Sequence, residues 1–195
     1  MMVLTIDQRG SRKGSDKVQA LLEDLRSVRT VRPFQRTAGD EIQAVLDDPA
    51  IALGIALHLA NSGSWSVGIG VGPVSTPLPA ETRAGSGEAF ILARTAVESA
   101  KKNSANICLK ARQEHYIAAE RIDASLQLVS LIERRRSAAA AEAGALLASG
   151  LTQREAGESL GISQQAVSLR LSNGLWHEAE RMKAWIVTDL GELSS

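Results

Sequence analysis

From Trp65 to Gly72 apolar and small side chains alternate without interruption, in the order Trp, Ser, Val, Gly, Ile, Gly, Val, Gly. A period of two is the signature of an extended strand, with Trp65, Val67, Ile69 and Val71 on one face and Ser66, Gly68, Gly70 and Gly72 on the other. Glycine weakens a strand, so a glycine-lined face marks the close approach of something else. A ligand and the backbone of a packed helix satisfy that requirement equally well.

The sequence around this strand alternates between strand-like and helix-like patterns. Val3 to Ile6 is a short apolar run closed by Asp7 and followed by the turn-forming stretch QRGSRKGS. Val18, Leu21, Leu22 and Leu25 then share a helical face, with Ser15 or Asp16 placed to accept the first free N–H groups. A strand is expected in VRPFQRT, restricted by Pro33 to an edge, a strand end or a bulge, and Gly39 turns the chain into its hairpin partner IQAVL. AIALGIALHLA reads as a compact helix, EAFILARTAVESAKK as another and NICLKA as a short strand holding Cys108, the one cysteine. The order strand, helix, hairpin, helix, strand, helix, strand predicts an α/β sandwich with its helices on one face.

After residue 112 the pattern becomes entirely helical. Ile117, Ile122, Leu126, Val129 and Ile132 form one stripe along a long helix that ends in Arg134, Arg135 and Arg136, and an alanine-rich helix with a glycine stop follows. The segment LTQREAGESLGISQQAVSLRLSNG, Leu151 to Gly174, has the layout of two helices joined by a tight turn. Thr152 and Glu155 are spaced as a capping box, Ala156 and Gly157 are small where helices must cross, Gly161 permits a left-handed turn and Ser163 caps the second helix. Leu160, Ile162, Val167 and Leu171 supply the buried wedge. Gln164, Gln165, Ser168, Arg170 and Ser172 are then left to project outward, and such side chains hydrogen-bond base edges in a DNA major groove. Thr152, Arg154 and Ser163 belong to the same expected DNA-binding set, Arg154 among the local arginines that suffice for phosphate contacts. At the end of the chain Trp176, Ala179, Met182 and Ile186 share a face that no later element can cover, which predicts a dimerisation helix and a homodimer on double-stranded DNA.

Bulk charge sets a limit on this reading. Lys plus Arg and Asp plus Glu number 22 each, and residues 113–195 hold 8 basic against 11 acidic side chains, so DNA contact has to be local. The start of the chain lacks a signal-peptide pattern, no apolar run is long enough to span a membrane, and a lone cysteine fits a reducing compartment. A cytoplasmic location is expected.

Two resemblances add to these readings. REAGESLGISQQAVSLRL resembles the helix-turn-helix of many bacterial transcription regulators. IDQRGSR resembles the start of the SatD-like family. RTAGDEIQAV, VGIGVGPV and GEAFILAR are similar, in the same order, to the metal-binding hairpin, glycine strand and following helix of class III nucleotidyl cyclases and the GGDEF palm. The resemblance implies an α+β fold: a cyclase-like, ferredoxin-like palm sandwich over residues 1–112, followed by an all-α helix-turn-helix domain over residues 113–195. It implies that Asp7 and Asp40 hold Mg²⁺ on a nucleotide, with Gly10, Ser11, Arg12 and Gly39 near its phosphates. On the residues alone, Asp7 and the Gly39–Asp40 pair are equally ordinary strand-end and turn chemistry. Glu41, expected on the opposite side of the strand from Asp40, is not assigned as a ligand.

The departures from the family pattern bear on turnover. Ile91 stands where the cyclase helix carries its ribose-binding Asn, Thr95 stands at the position of the transition-state Arg, and Arg94 comes one residue early, about 100° away around a helix. The cyclase strand His is replaced by Val71 or its neighbour. Without that charge stabilisation, binding survives and turnover does not. The expectation is a DNA-binding regulator, not an enzyme, with a nucleotide-type ligand and Mg²⁺ as effector. The alternative is an active nucleotidyl cyclase or related phosphotransfer enzyme carrying a helix-turn-helix.

Overall fold

The computed structural model describes residues 1–11 and 14–194 of the chain. Five strands form one mixed sheet: β1 (Met2–Gln8), β2 (Arg32–Arg36), β3 (Glu41–Leu46), β4 (Trp65–Val71) and β5 (Ile107–Ala111). Their spatial order is β2-β3-β1-β4-β5. β1 is central and antiparallel to both neighbours, β2 pairs antiparallel with β3, and β4 runs parallel to β5. Helices α1 (Val18–Asp24), α2 (Pro49–Asn61) and α3 (Glu88–Ala100) connect the strands. Five more complete the chain: α4 (Tyr116–Arg135), α5 (Ala138–Ala148), α6 (Gln153–Leu160), α7 (Gln164–Asn173) and α8 (Trp176–Ser194). The α+β class follows directly.

Local chemistry explains most of the boundaries. Asp48 caps α2 through hydrogen bonds from the N–H groups of Ala50 (2.9 Å) and Ile51 (3.1 Å), and Pro49 at the first position has no N–H to satisfy. The hairpin turns at Gly39, whose φ of 59° is left-handed. At α1 it is Asp16, not Ser15, that accepts the Val18 N–H, at 2.9 Å.

The helices cover both faces of the sheet, not one. Met2, Leu4, Ile6, Val67 and Ile69 face α2, α4 and α8, whose Leu53, Leu57, Ile122, Leu126, Val129, Ile186 and Leu190 complete the main core. On the other face α3 lies against the strand glycines. A Cβ on Gly68 would overlap the backbone of Ala93 and Val97, and one on Gly70 that of Ala89 and Ala93. The glycine face is therefore a seat for a helix backbone.

Two expectations about the C-terminal half change accordingly. The face of α8 carrying Ala179, Met182 and Ile186 is covered within the chain by α2 and α4, so the burial that called for a dimerising helix is already achieved. The shift in composition near residue 112 is not where the core divides, because α4 and the C-terminal half of α8 complete the core of the sheet. A second, small core forms from α5, α6, α7 and Trp176. On α4 the expected stripe holds for Ile122, Leu126 and Val129, whereas Ile117 is 72% exposed.

Candidate functional site

Two surfaces collect the residues that carry chemistry. The first is the outer side of α7. Thr152 and Glu155 close the capping box at α6, with the Thr152 N–H donating to Glu155 Oε2 at 2.8 Å and the Glu155 N–H to Thr152 Oγ1 at 3.3 Å. The Thr152 N–H, and after it the Thr152 hydroxyl, which donates to Glu155 Oε2 at 2.7 Å, hold the Glu155 carboxyl below the usual glutamate value. Gly161 turns the chain at φ 64°, and Gly157 has to be small because a Cβ there would sit 2.9 Å from the Ile162 carbonyl oxygen. Ser163 caps α7 by accepting the Ala166 N–H at 3.2 Å.

With Val167 and Leu171 anchored inside, Gln164, Gln165, Ser168 and Ser172 are exposed along one stripe, and Arg154 is exposed at the start of α6. Arg170 departs from the expected set: it leans back on α5, half-buried, with Nη1 3.6 Å from Glu142 Oε2. Its place in the stripe is taken by Leu169, 61% exposed. The signal for Leu169 was available, since it follows Gln165 by four residues and so shares its face.

The second surface is the end of the sheet where β1 stops and the β2–β3 hairpin turns. Asp7 and Glu41 are direct cross-strand partners, and the Gln8 N–H donates to the Asp40 carbonyl at 3.3 Å, so Asp7 and the adjacent acids of the hairpin, Asp40 and Glu41, lie at one end of the sheet. Directly opposite partners point to the same face. That face is the one α3 covers, and α3 supplies cations to it. Lys101 Nζ lies 2.9 Å from Asp7 Oδ2, and Arg94 Nη2 lies 3.0 Å from Glu41 Oε1, which also accepts the Thr37 hydroxyl at 2.6 Å. Arg9 reaches Ser66, the other cross-strand partner of Asp7, at 3.4 Å.

Loss of water raises the Asp7 carboxyl above its usual range. The Lys101 contacts oppose that rise, and the charges of Asp40 and Glu41 add to it. Partial burial works against the charge on Lys101, but the carboxylates of Glu98 and Asp7 outweigh it and the ammonium is held above the usual lysine value.

Beside these acids, between α3 and the loop before it, runs a cleft of about 450 Å³ lined by Thr37, Gln43, Arg83, Ser86, Gly87, Phe90, Ile91, Arg94 and Thr95. Ile91, Arg94 and Thr95, the positions at which the sequence departs from the cyclase pattern, all border it. Arg83 and Arg94 bring two guanidinium groups to it, each paired to a glutamate, Arg83 with Glu81 at 2.7 Å and Arg94 with Glu41 at 3.0 Å. Of the residues expected near phosphates, Gly39 sits at the hairpin tip, and Gly10 and Ser11 lie in the turn after β1. Arg12 lies outside the described residues. Two N–H groups at the start of α1 are already used: Lys17 donates to Gln8 Oε1 at 2.8 Å and Val18 to Asp16.

Asp7 and Asp40 are the right donor types for Mg²⁺, which takes one or two carboxylates together with phosphate oxygens. As they stand they do not fit one. Asp7 is held by an ammonium, Glu41 by a hydroxyl and a guanidinium, and among the described residues no group of three or more His, Cys, Asp or Glu side chains converges as a metal site. No described helix is long and apolar enough to cross a membrane.

Compared with known protein families, curated proteins and solved structures, the chain finds no match.

Proposed function

We propose that this protein is a DNA-binding transcription regulator in which α6 and α7 act as a helix-turn-helix, and in which the cyclase-like body binds a nucleotide-type anion as effector. The observation that carries the reading is the exposed stripe on α7. Gln164, Gln165 and Ser168 offer donors and acceptors, Leu169 offers an apolar contact for a thymine methyl, and caps and a left-handed glycine set the helix at a fixed angle. Arg154 at the start of α6 supplies the phosphate contact.

The cleft beside α3 is the effector site in this reading, because Arg83 and Arg94 bring two guanidinium groups to it that an anion can take over from Glu81 and Glu41. It lies across the sheet from α7. The packed route between the two runs from α3 to β5, where Cys108 meets Ala96 and Ala100, and then to α4, whose Asp123 accepts the Leu109 N–H at 2.7 Å. From the end of α4, Arg136 donates to the Gly174 carbonyl at 2.7 Å, at the end of α7. An effector changes DNA affinity only to the extent that it binds the two arrangements of this route unequally. One helix-turn-helix reads a half-site, so the reading includes a homodimer. Trp185 on α8 and Tyr116, Ile117 and Leu128 on α4 are large apolar side chains left exposed to form it.

Anisotropy titration of a labelled duplex tests both halves. Gln165→Ala is expected to cost about 1–3 kcal/mol on the preferred sequence, and Arg154→Ala to weaken all sequences and reduce the salt slope by about one. Adding ATP is expected to shift the titration in the wild type and not in Arg83→Ala/Arg94→Ala. An unchanged titration in both would remove the effector half.

A second reading, a phosphotransfer enzyme, is favoured by the meeting of Asp7, Asp40 and Glu41 at one sheet end. Incubating the protein with labelled ATP or GTP and Mn²⁺ separates the two: a cyclic or linear product that disappears in Asp7→Asn supports the enzyme.

A further inference from the structure

We infer that Lys101 takes the place of a metal ion at the acidic end of the sheet, so that the face under α3 binds anions without a divalent cation. Lys101 is the residue at which α3 ends, its N–H donating to the Val97 carbonyl at 3.0 Å, and a cation there is favoured by the partial negative charge of the helix terminus. Its ammonium is gripped from two sides, 2.9 Å from Asp7 Oδ2 and 2.7 Å from Glu98 Oε1. Asp7 is the central acid of the group, with Glu41 opposite it across the strands and the Asp40 turn hydrogen-bonded to the next residue.

Two of the acids are already paired without any ion: Asp7 with Lys101, which Glu98 also holds, and Glu41 with Arg94. A divalent ion approaching Asp7 meets a positive charge already seated within hydrogen-bonding distance of the oxygen it needs. It also has to draw ligands away from the guanidinium and hydroxyl on Glu41. Mg²⁺ tolerates neither, because it demands near-octahedral oxygen coordination at short distances. Two cations on one face, Arg94 within α3 and Lys101 at its C-terminal cap about two turns on, do the neutralising work that an ion would otherwise do, and Arg94 at the same time borders the cleft.

The same geometry makes a latent metal site. Removing the ammonium while keeping the methylene stem leaves Asp7 unpaired beside Asp40. The metal half of this inference stands on Lys101 and the acids alone, whereas the anion half rests on the proposed effector cleft.

The test uses the full chain and Mn²⁺ alone, with free Mn²⁺ followed by electron paramagnetic resonance and folding checked by circular dichroism. The wild type and Lys101→Arg are expected to bind Mn²⁺ at least about tenfold more weakly than Lys101→Met, as a paired carboxylate is a poorer ligand than a free one. The gain in Lys101→Met is expected to vanish on adding Asp40→Asn. Equal Mn²⁺ binding by wild type and Lys101→Met overturns the inference, as does tight binding by the wild type that is lost in Asp7→Asn. If Lys101→Met does not fold, Lys101→Gln takes its place with the same expectation.

Calorimetry with ATP in the presence of EDTA or of Mg²⁺ tests the anion half. Equal affinity in the two is expected, and binding that needs Mg²⁺ overturns it. No ATP binding in either removes the effector reading and with it the anion half, while the Mn²⁺ result continues to decide the role of Lys101.

Discussion

Asp123 shows how a single buried residue ties the two layers of this protein together. It sits on the inner side of α4, 8% exposed, and its carboxylate accepts the Leu109 N–H of β5 and the Gln127 amide, each at 2.7 Å. Asp123→Ala leaves the Leu109 N–H buried without a partner and is expected to cost about 1–3 kcal/mol in urea unfolding. Burial, partly offset by the Leu109 N–H, raises the Asp123 carboxyl above its usual range. A group whose folded pKa is raised binds protons in the native state that the unfolded state has already released. Its contribution to stability is therefore full below the ordinary aspartate value, about 3.9, and declines as pH rises through the raised value. Asp123→Asn, which keeps an acceptor for Leu109, should remove that slope. Wild type and variant unfolded side by side across this pH range are expected to diverge, and parallel curves would contradict the assignment. Cys108 belongs to the same layer. Burial, with the nearby Asp123 charge, pushes its thiol up to about 12, so native protein at pH 8 should react with a disulfide reagent far more slowly than unfolded protein.

At the scale of elements, the parts of the fold set by local chemistry were legible. The hairpin around Gly39, the capping box at Thr152 and the left-handed turn at Gly161 all follow from residues whose effect acts within one turn. What covers the glycine face was not legible, because Gly68 and Gly70 tell only that something comes close. Nor was the exposure of Ile117: a 3.6-residue period shows which side chains lie on one line, not how far along that line the partner surface extends. Among candidate site residues, Asp7 and the Gly39–Asp40 turn were placed together through the resemblance. Their cations could not be, since Lys101 lies 94 positions beyond Asp7 and reaches it only because α3 packs across the sheet. That packing predicts the sharpest element-level effect. Gly70→Ala pushes a methyl into the Ala89 and Ala93 backbone and is expected to destabilise by about 3 kcal/mol or more, measured by thermal or denaturant unfolding. Thr152→Ala, which removes only a cap, should cost about 1 kcal/mol and act mainly on α6.

For the whole molecule, the sheet and the C-terminal helices depend on one another. Residues 1–112 contain all five strands but lack α4 and α8, whose Ile122, Leu126, Val129, Ile186 and Leu190 fill one side of the core. A fragment ending at residue 112 is expected to expose that face and to aggregate or bind a hydrophobic dye, where the full chain does not. The small core of α5–α7 joins the rest through Arg136, the start of α8 and Glu133, which is held by Lys183 at 3.1 Å and by Asn61 at 2.7 Å. The proposed reading surface therefore hangs on helices that also complete the body, the arrangement a regulated DNA binder requires. Selection of duplexes from a random pool tests that account most directly, run with the wild type and with a variant in which Gln164, Gln165 and Ser168 are all alanine. The account predicts that the wild type enriches a recurrent sequence and that the variant, equally well folded, enriches none. No enrichment by the wild type, or the same sequence enriched by both, would contradict it.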